Sequence, residues 1–129
     1  MAHLTFITGG SRSGKSSHAI ALASAAPPAA RRFFIATAEA LDDEMRARIA
    51  HHRATRPPGI ITVEEPIAPA AALAGLEGRA DFAVLDCLTL WIANLMGRGL
   101  DDDAIIREAG ALAAAIRRAS FAIVVVSDV

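Results

Sequence analysis

A chain of 129 residues, 53% of them apolar and much of that alanine, with a formal charge of −1, is the size of one domain, 1-129, which buries roughly two-thirds of its unfolded surface. Balanced charge excludes a global basic field for nucleic acid and an acidic tail. A lone cysteine, Cys87, excludes an internal disulfide framework and fits a reducing compartment.

Apolar runs and helical patterns alternate along the chain. LTFIT (4–8) reads as a buried strand, followed by a glycine-rich turn and a helix from Lys15 to Ala25, which Pro27 and Pro28 stop. RFFIAT (32–37) is a second strand. The stretch from Asp42 to Ala54 is helical, with Asp42 and Asp43 at its positive end. Arg56-Pro57-Pro58-Gly59 breaks the pattern before a third strand, IITVE (60–64). An alanine-rich helix is expected over 67–77 despite Pro69, then a fourth strand, FAVLD (82–86). LTLWIANLM (88–96) and 102–119 read as helices, and FAIVVVS (121–127) as the last strand. Continuous Val/Ile/Leu strands between helices predict a mainly parallel sheet covered on both faces, an α/β fold. The chain ends at Val129, within a buried-looking strand, so it reads as incomplete at its C-terminus. No apolar run approaches the roughly 20 residues of a membrane span. The N-terminus has neither the charged start nor the cleavage site of a secretory signal. A cytoplasmic protein is expected.

Gly9-Gly10-Ser11-Arg12-Ser13-Gly14-Lys15-Ser16 fits G-x-x-x-x-G-K-[ST], the Walker A or P-loop pattern, between a strand and a helix. Glycines let the backbone wrap phosphates with its N–H groups inward, and the helix N-terminus adds a favourable dipole. Lys15 is expected to bridge the β and γ phosphates and Ser16 to ligate Mg²⁺. Asp86, ending AVLD, stands as a Walker-B carboxylate beside the same ion. An aspartate capping the following helix would look the same in sequence.

A second unusual stretch is Arg48-Ile49-Ala50-His51-His52-Arg53-Ala54-Thr55-Arg56-Pro57. Adjacent histidines on a helix point about 100° apart, and no third ligand is suitably spaced nearby, which weakens a metal reading. A solvated basic helix face is one reading. Nucleophilic catalysis is the other: a neutral imidazole attacks an α-phosphate, and Arg48, Arg53 and Arg56 supply positive charge.

TGGSRSGKSSHA, FIATAEALDDEMRARIAHHRATRP, TVEEP and VLDCLTLWIANLM, in this order and spacing, closely resemble the bifunctional adenosylcobinamide kinase / adenosylcobinamide-phosphate guanylyltransferase family of cobalamin biosynthesis. The resemblance runs from Thr5 to about Met96, and the final strand also fits. It implies a RecA-like P-loop NTPase fold, three-layered, assembled as a homotrimer. It implies two reactions: phosphorylation of adenosylcobinamide by ATP or GTP, then transfer of GMP from GTP through a GMP-histidine, releasing pyrophosphate. Gly9 to Ser16 would hold the triphosphate and Mg²⁺. Thr37, Ala38 and Glu39 would lie near the nucleotide. The family's R-I-x-x-H-x-x-x-R-P pattern puts the nucleophile on His52, with His51 the alternative, and Arg53, Ala54, Thr55 and Arg56 along the GMP. Glu64 and Asp86 match acids at its guanine-nucleotide site, and Trp91 and Asn94 match its helix, Trp91 as packing. Members run some tens of residues further, and Asp128 stands where they usually have Asn-Glu. Partners implied are the corrinoid, GTP and ATP, with no nucleic acid. A kinase of another small molecule would use the same loop and Asp86 without the histidines. A nucleotide-binding protein without catalysis is the other competing class.

Overall fold

Apolar runs without polar alternation bury both faces of a strand, and here they share one sheet whose inner strands are so buried, while the edge strands leave Leu4, Phe6 and Ile61 exposed. The computed structural model describes residues 3–10 and 13–128. In chain order the elements are β1 (Leu4–Gly9), α1 (Lys15–Ser24), β2 (Arg32–Ala36), α2 (Asp43–Thr55), β3 (Ile60–Glu64), α3 (Pro69–Ala74), β4 (Phe82–Asp86), α4 (Leu88–Gly97), α5 (Asp102–Arg118) and β5 (Ala122–Asp128). The sheet order is β1-β5-β4-β2-β3, and every pairing is parallel.

Helices cover the sheet on two sides. On one, Ala19 and Ala23 of α1 pack against Phe34, Val84, Val124 and Val126. On the other, Leu73, Trp91, Leu95 and Leu112 from α3, α4 and α5 pack against Phe33, Ile35, Leu85 and Val125. Strand residues alternate between these two cores, because successive side chains point to opposite faces. This is the three-layer α/β arrangement of a P-loop NTPase, with the glycine-rich loop joining β1 to α1 and β5 inserted between β1 and β4.

Capping follows the sequence. Asp42 accepts from Met45 N–H at 2.7 Å and Asp101 from Ala104 N–H at 2.9 Å, each meeting an otherwise unpaired donor of a first turn. The alanine-rich helix is shorter than 67–77. Pro69 has no N–H to give and sits at its first turn. The Glu65 carboxylate receives the Ile67 and Ala68 N–H groups, both at 3.1 Å. After Ala74 the backbone tightens into three-residue turns, Leu76 N–H to Leu73 O at 3.0 Å and Arg79 N–H to Leu76 O at 2.8 Å. Among the described residues, no helix is long and apolar enough to cross a membrane.

Register matters most for function. Ala36 lies opposite both Glu64 and Asp86, Asp86 opposite Val126, and Gly9 opposite Asp128. The C-terminal ends of all five strands therefore gather at one sheet edge, where ligands of open α/β sheets bind.

Candidate functional site

A cavity of about 400 Å³ opens at that edge. Ser13 to Ser16 form one wall, and Ala36, Ala38, Glu64, Asp86 and Asp128 supply strand ends and the residues just past them. Gly14, with φ of 84°, turns the chain into α1 through the left-handed region that glycine adopts without strain. Gly9 makes room for the turn. A Cβ there would stand 2.6 Å from Ser13 Oγ and 3.4 Å from the Lys15 side chain.

Lys15 is folded back under the loop. Its Nζ donates to Gly10 O at 2.5 Å and lies 2.7 Å from Asp128 Oδ1. Ser16 Oγ donates to Asp86 Oδ2, so a hydroxyl and a carboxylate oxygen sit side by side. Burial pushes the Asp86 carboxyl above its ordinary value, against the Ser16 hydrogen bond and the positive charge of Arg56. Two protein oxygens suit Mg²⁺, which keeps waters and takes phosphate oxygens for the rest of its shell. Among the described residues no group of three or more His, Cys, Asp or Glu could hold a metal by itself.

The far wall is α2. Met45, Arg48, Ile49 and His52 all line the cavity. Their spacing, i, i+3, i+4 and i+7, is one face of a helix. His51, one position earlier than His52, is not on that lining. The two rings meet edge to face, centroids 6.0 Å apart. Arg56 follows α2 and is fixed twice: its guanidinium lies 4.0 Å over the Phe34 ring, and Nη1 donates to Thr62 Oγ1 at 2.9 Å. Burial lowers the Arg56 pKa from its ordinary value, opposed by the charge of Asp86.

Of the residues expected from sequence, Ser13, Gly14, Lys15, Ser16, Ala38, Arg48, His52, Arg56, Glu64 and Asp86 line this one cavity. Others stand behind it. Gly9 and Gly10 shape the loop, and Arg53 pairs with Glu64, while Ala54 and Thr55 are exposed at the end of α2. Ser11 and Arg12 lie outside the described residues. Glu39 turns away to a two-bond pairing with Arg98, at 2.7 and 2.8 Å. Thr37 is fully buried; its Oγ1 accepts from Cys87 N–H at 2.9 Å and donates to Cys87 O at 2.8 Å. Asn94 Nδ2 donates to Thr37 O at 2.7 Å and to Pro66 O at 3.0 Å. These bonds tie the ends of β2 and β4 together beneath Asp86. Trp91 is buried packing, its Nε1 donating to Ile67 O at 2.8 Å.

Sequence reasoning missed Phe34, Met45, Ile49, Leu90 and Asp128 on the lining. Counting back from His52 in steps of three and seven would have found Ile49 and Met45 beside Arg48, which the sequence had already marked. Phe34 shares a face of β2 with Ala36 by the two-residue period.

A family model described as cobinamide kinase / cobinamide phosphate guanyltransferase matches residues 5–129. The chain is 49% identical over 90 residues to the bifunctional adenosylcobalamin biosynthesis protein CobP of Pseudomonas aeruginosa, covering 70% of this chain and 51% of that one. It is 40% identical over 93 residues to the bifunctional adenosylcobalamin biosynthesis protein CobU of Salmonella typhimurium, covering 72% and 50%. The Escherichia coli protein of the same name is 39% identical over 93 residues. The chain spans about half the length of the curated relatives it matches. A glycine-rich loop, an acid beside its serine and a histidine across the cavity thus come together in a chain that belongs to the cobinamide kinase / cobinamide phosphate guanyltransferase family.

Proposed function

We propose that this chain binds GTP or ATP in the cavity at the sheet edge and acts on a corrinoid in cobalamin biosynthesis, first as a kinase and then as a guanylyltransferase. The observation that carries this reading is the shared cavity: His52 faces the space bounded by Lys15, Ser16 and Asp86, so a triphosphate on the loop lies before an imidazole.

In the kinase step the aminopropanol hydroxyl of adenosylcobinamide attacks the γ-phosphorus and gives its proton to solvent, the bond to the β-phosphate oxygen breaks, and a nucleoside diphosphate leaves. Lys15 and the loop N–H groups stabilise charge on the transferred group. Ser16 and Asp86 would hold Mg²⁺, which when bound neutralises the β and γ oxygens.

In the transfer step a ring nitrogen of neutral His52 attacks the α-phosphorus of GTP. The Pα–O bond breaks, pyrophosphate leaves, and GMP is held through a P–N bond. A phosphate oxygen of adenosylcobinamide phosphate then attacks the same phosphorus, and the P–N bond breaks to give adenosylcobinamide-GDP and free His52. Arg48 and Arg56 border the same space and offset the charge of the polyanion. Arg53 and Glu64, paired beside it, would flank the bound GMP. A homotrimer in the cytoplasm is the assembly and location that accompany this reading.

The test is covalent. After incubation with α-labelled GTP and Mg²⁺, label should remain on the protein through denaturation and be released by mild acid. His52→Ala should abolish it and His51→Ala should keep most of it. Label retained by His52→Ala but lost in His51→Ala would move the nucleophile, and no retained label in wild type would remove the transferase reading.

A further inference from the structure

The Lys15 ammonium has three N–H donors, and the structure gives it three oxygens: Gly10 O at 2.5 Å, Asp128 Oδ1 at 2.7 Å and Ser13 Oγ at 3.5 Å. Asp128 differs from the other two in carrying full charge. It is also held in place. Its own N–H donates to Thr89 Oγ1 at 2.9 Å, and Ser127 Oγ lies 3.5 Å from the same hydroxyl. Its register position is opposite Gly9, the point where the loop leaves the sheet. The Lys15 side chain is 9% exposed against 37% for Asp128, so the backbone of Asp128 is fixed while its carboxylate is the solvent-facing half of the pair.

We propose that Asp128 is a built-in counter-anion of Lys15, which the β- or γ-phosphate of a bound nucleotide must displace, and that it thereby sets both affinity and preference by phosphate number. The proposal rests on the reading of the loop as a phosphate site. A phosphate that draws a donor from Lys15 meets a like charge a few ångströms away, because Asp128 and the phosphate approach one ammonium from the same cavity. Removing that charge leaves Lys15 only neutral partners, Gly10 O and Ser13 Oγ, for phosphate to compete with. A monophosphate, whose single phosphate sits at the α position, does not reach Lys15 and gains nothing.

The pair is neither fully exposed, where it would be worth well under tenfold, nor fully buried, where it would be worth several hundredfold. Asp128→Asn should therefore tighten GTP by about tenfold. Calorimetric titration of GMP, GDP and GTP with Mg²⁺ into wild type, Asp128→Asn, Asp128→Ser and Asp128→Glu measures this. Both charge-removing variants should tighten GTP most, GDP less, and leave GMP unchanged. Asp128→Glu, which keeps the charge, should stay within about twofold of wild type. GTP affinity unchanged or weakened in Asp128→Asn and Asp128→Ser overturns the proposal, as does an equal gain in Asp128→Glu or an equal gain for GMP. Tighter GTP binding without covalent label on His52 would sink the transferase reading alone.

Discussion

Thr37→Val removes one hydroxyl and changes almost nothing else in shape. In wild type that hydroxyl is completely buried, accepting from Cys87 N–H at 2.9 Å and donating to Cys87 O at 2.8 Å. Cys87 O also accepts from Trp91 N–H at 3.3 Å, so the variant's main cost is the Cys87 N–H left facing a methyl group. A buried donor without its partner costs about 1–3 kcal/mol. A loss near 2 kcal/mol lowers the melting temperature by roughly 8 °C in a domain of this size and the urea midpoint by about 1 M. Thr37→Ser keeps the bonds and gives up one methyl, about 1 kcal/mol. Urea unfolding should therefore rank wild type above Thr37→Ser, and Thr37→Ser above Thr37→Val. The damage should reach the site too, because Thr37 N–H donates to Asp86 O at 3.0 Å. GTP should bind more weakly to Thr37→Val than to Thr37→Ser. Thr37→Val as stable as wild type, or more stable than Thr37→Ser, would refute the claim that this hydroxyl holds β4 to β2.

Two further outcomes follow from titrating groups. Burial pushes the Cys87 thiol from 9.0 up to about 11, so the native protein should resist alkylation at pH 8 and react at once when unfolded. The unfolded chain gives up this proton first, so unfolding stability should fall as pH rises from about 9 to about 11; a flat profile there in wild type but not in Cys87→Ala would contradict it. The Asp86 carboxyl is also raised, by burial, so its ionised form is a net cost to the fold that grows as pH climbs above the unfolded value. Asp86→Asn should melt at or above wild type at neutral pH, lose that advantage in acid, and lose Mg²⁺-dependent nucleotide binding. A lower melting temperature at neutral pH would show that the carboxylate's hydrogen bond with Ser16 outweighs its burial.

The inner strands were readable because a parallel sheet buried on both faces needs apolar side chains on both faces, and runs such as AVL and IVVV admit few other readings; β1 reads the same way but lies at the sheet edge with Leu4 and Phe6 exposed. The length of α3 was not readable, since apolar residues run on past both ends of 69–74 while the helix starts at Pro69 and is capped at Gly75. In α2 the difficulty was phase. Adjacent residues on a helix differ by about 100°, and an apolar stripe usually marks the inward face. None of the residues of α2 is buried, so the residues alone left His51 and His52 open, and the docking of α2 over the strand ends separates them. Thr37 and Glu39 flank the lining residue Ala38 without lining the cavity themselves. Both follow a strand that ends at the site, but their side chains are claimed by Cys87 and Arg98, some fifty and sixty residues away in sequence.

Asp86 and Asp128 show where a motif stops being informative. Both are aspartates at the C-terminal end of a parallel strand, and both face a residue of the glycine-rich loop. Only Asp86 was picked out, because its partner role is part of a known local pattern. What gives Asp128 its place is sheet order. With β5 lying between β1 and β4, the strand next to the loop delivers an acid to Lys15, and the following strand delivers one to Ser16. Two consecutive residues of the motif thus receive acids from two neighbouring strands, one on the serine hydroxyl and the other on the lysine ammonium. Register is needed as well as order: shifting β5 by one residue would turn Asp128 to the opposite face of the sheet and leave Lys15 without its carboxylate.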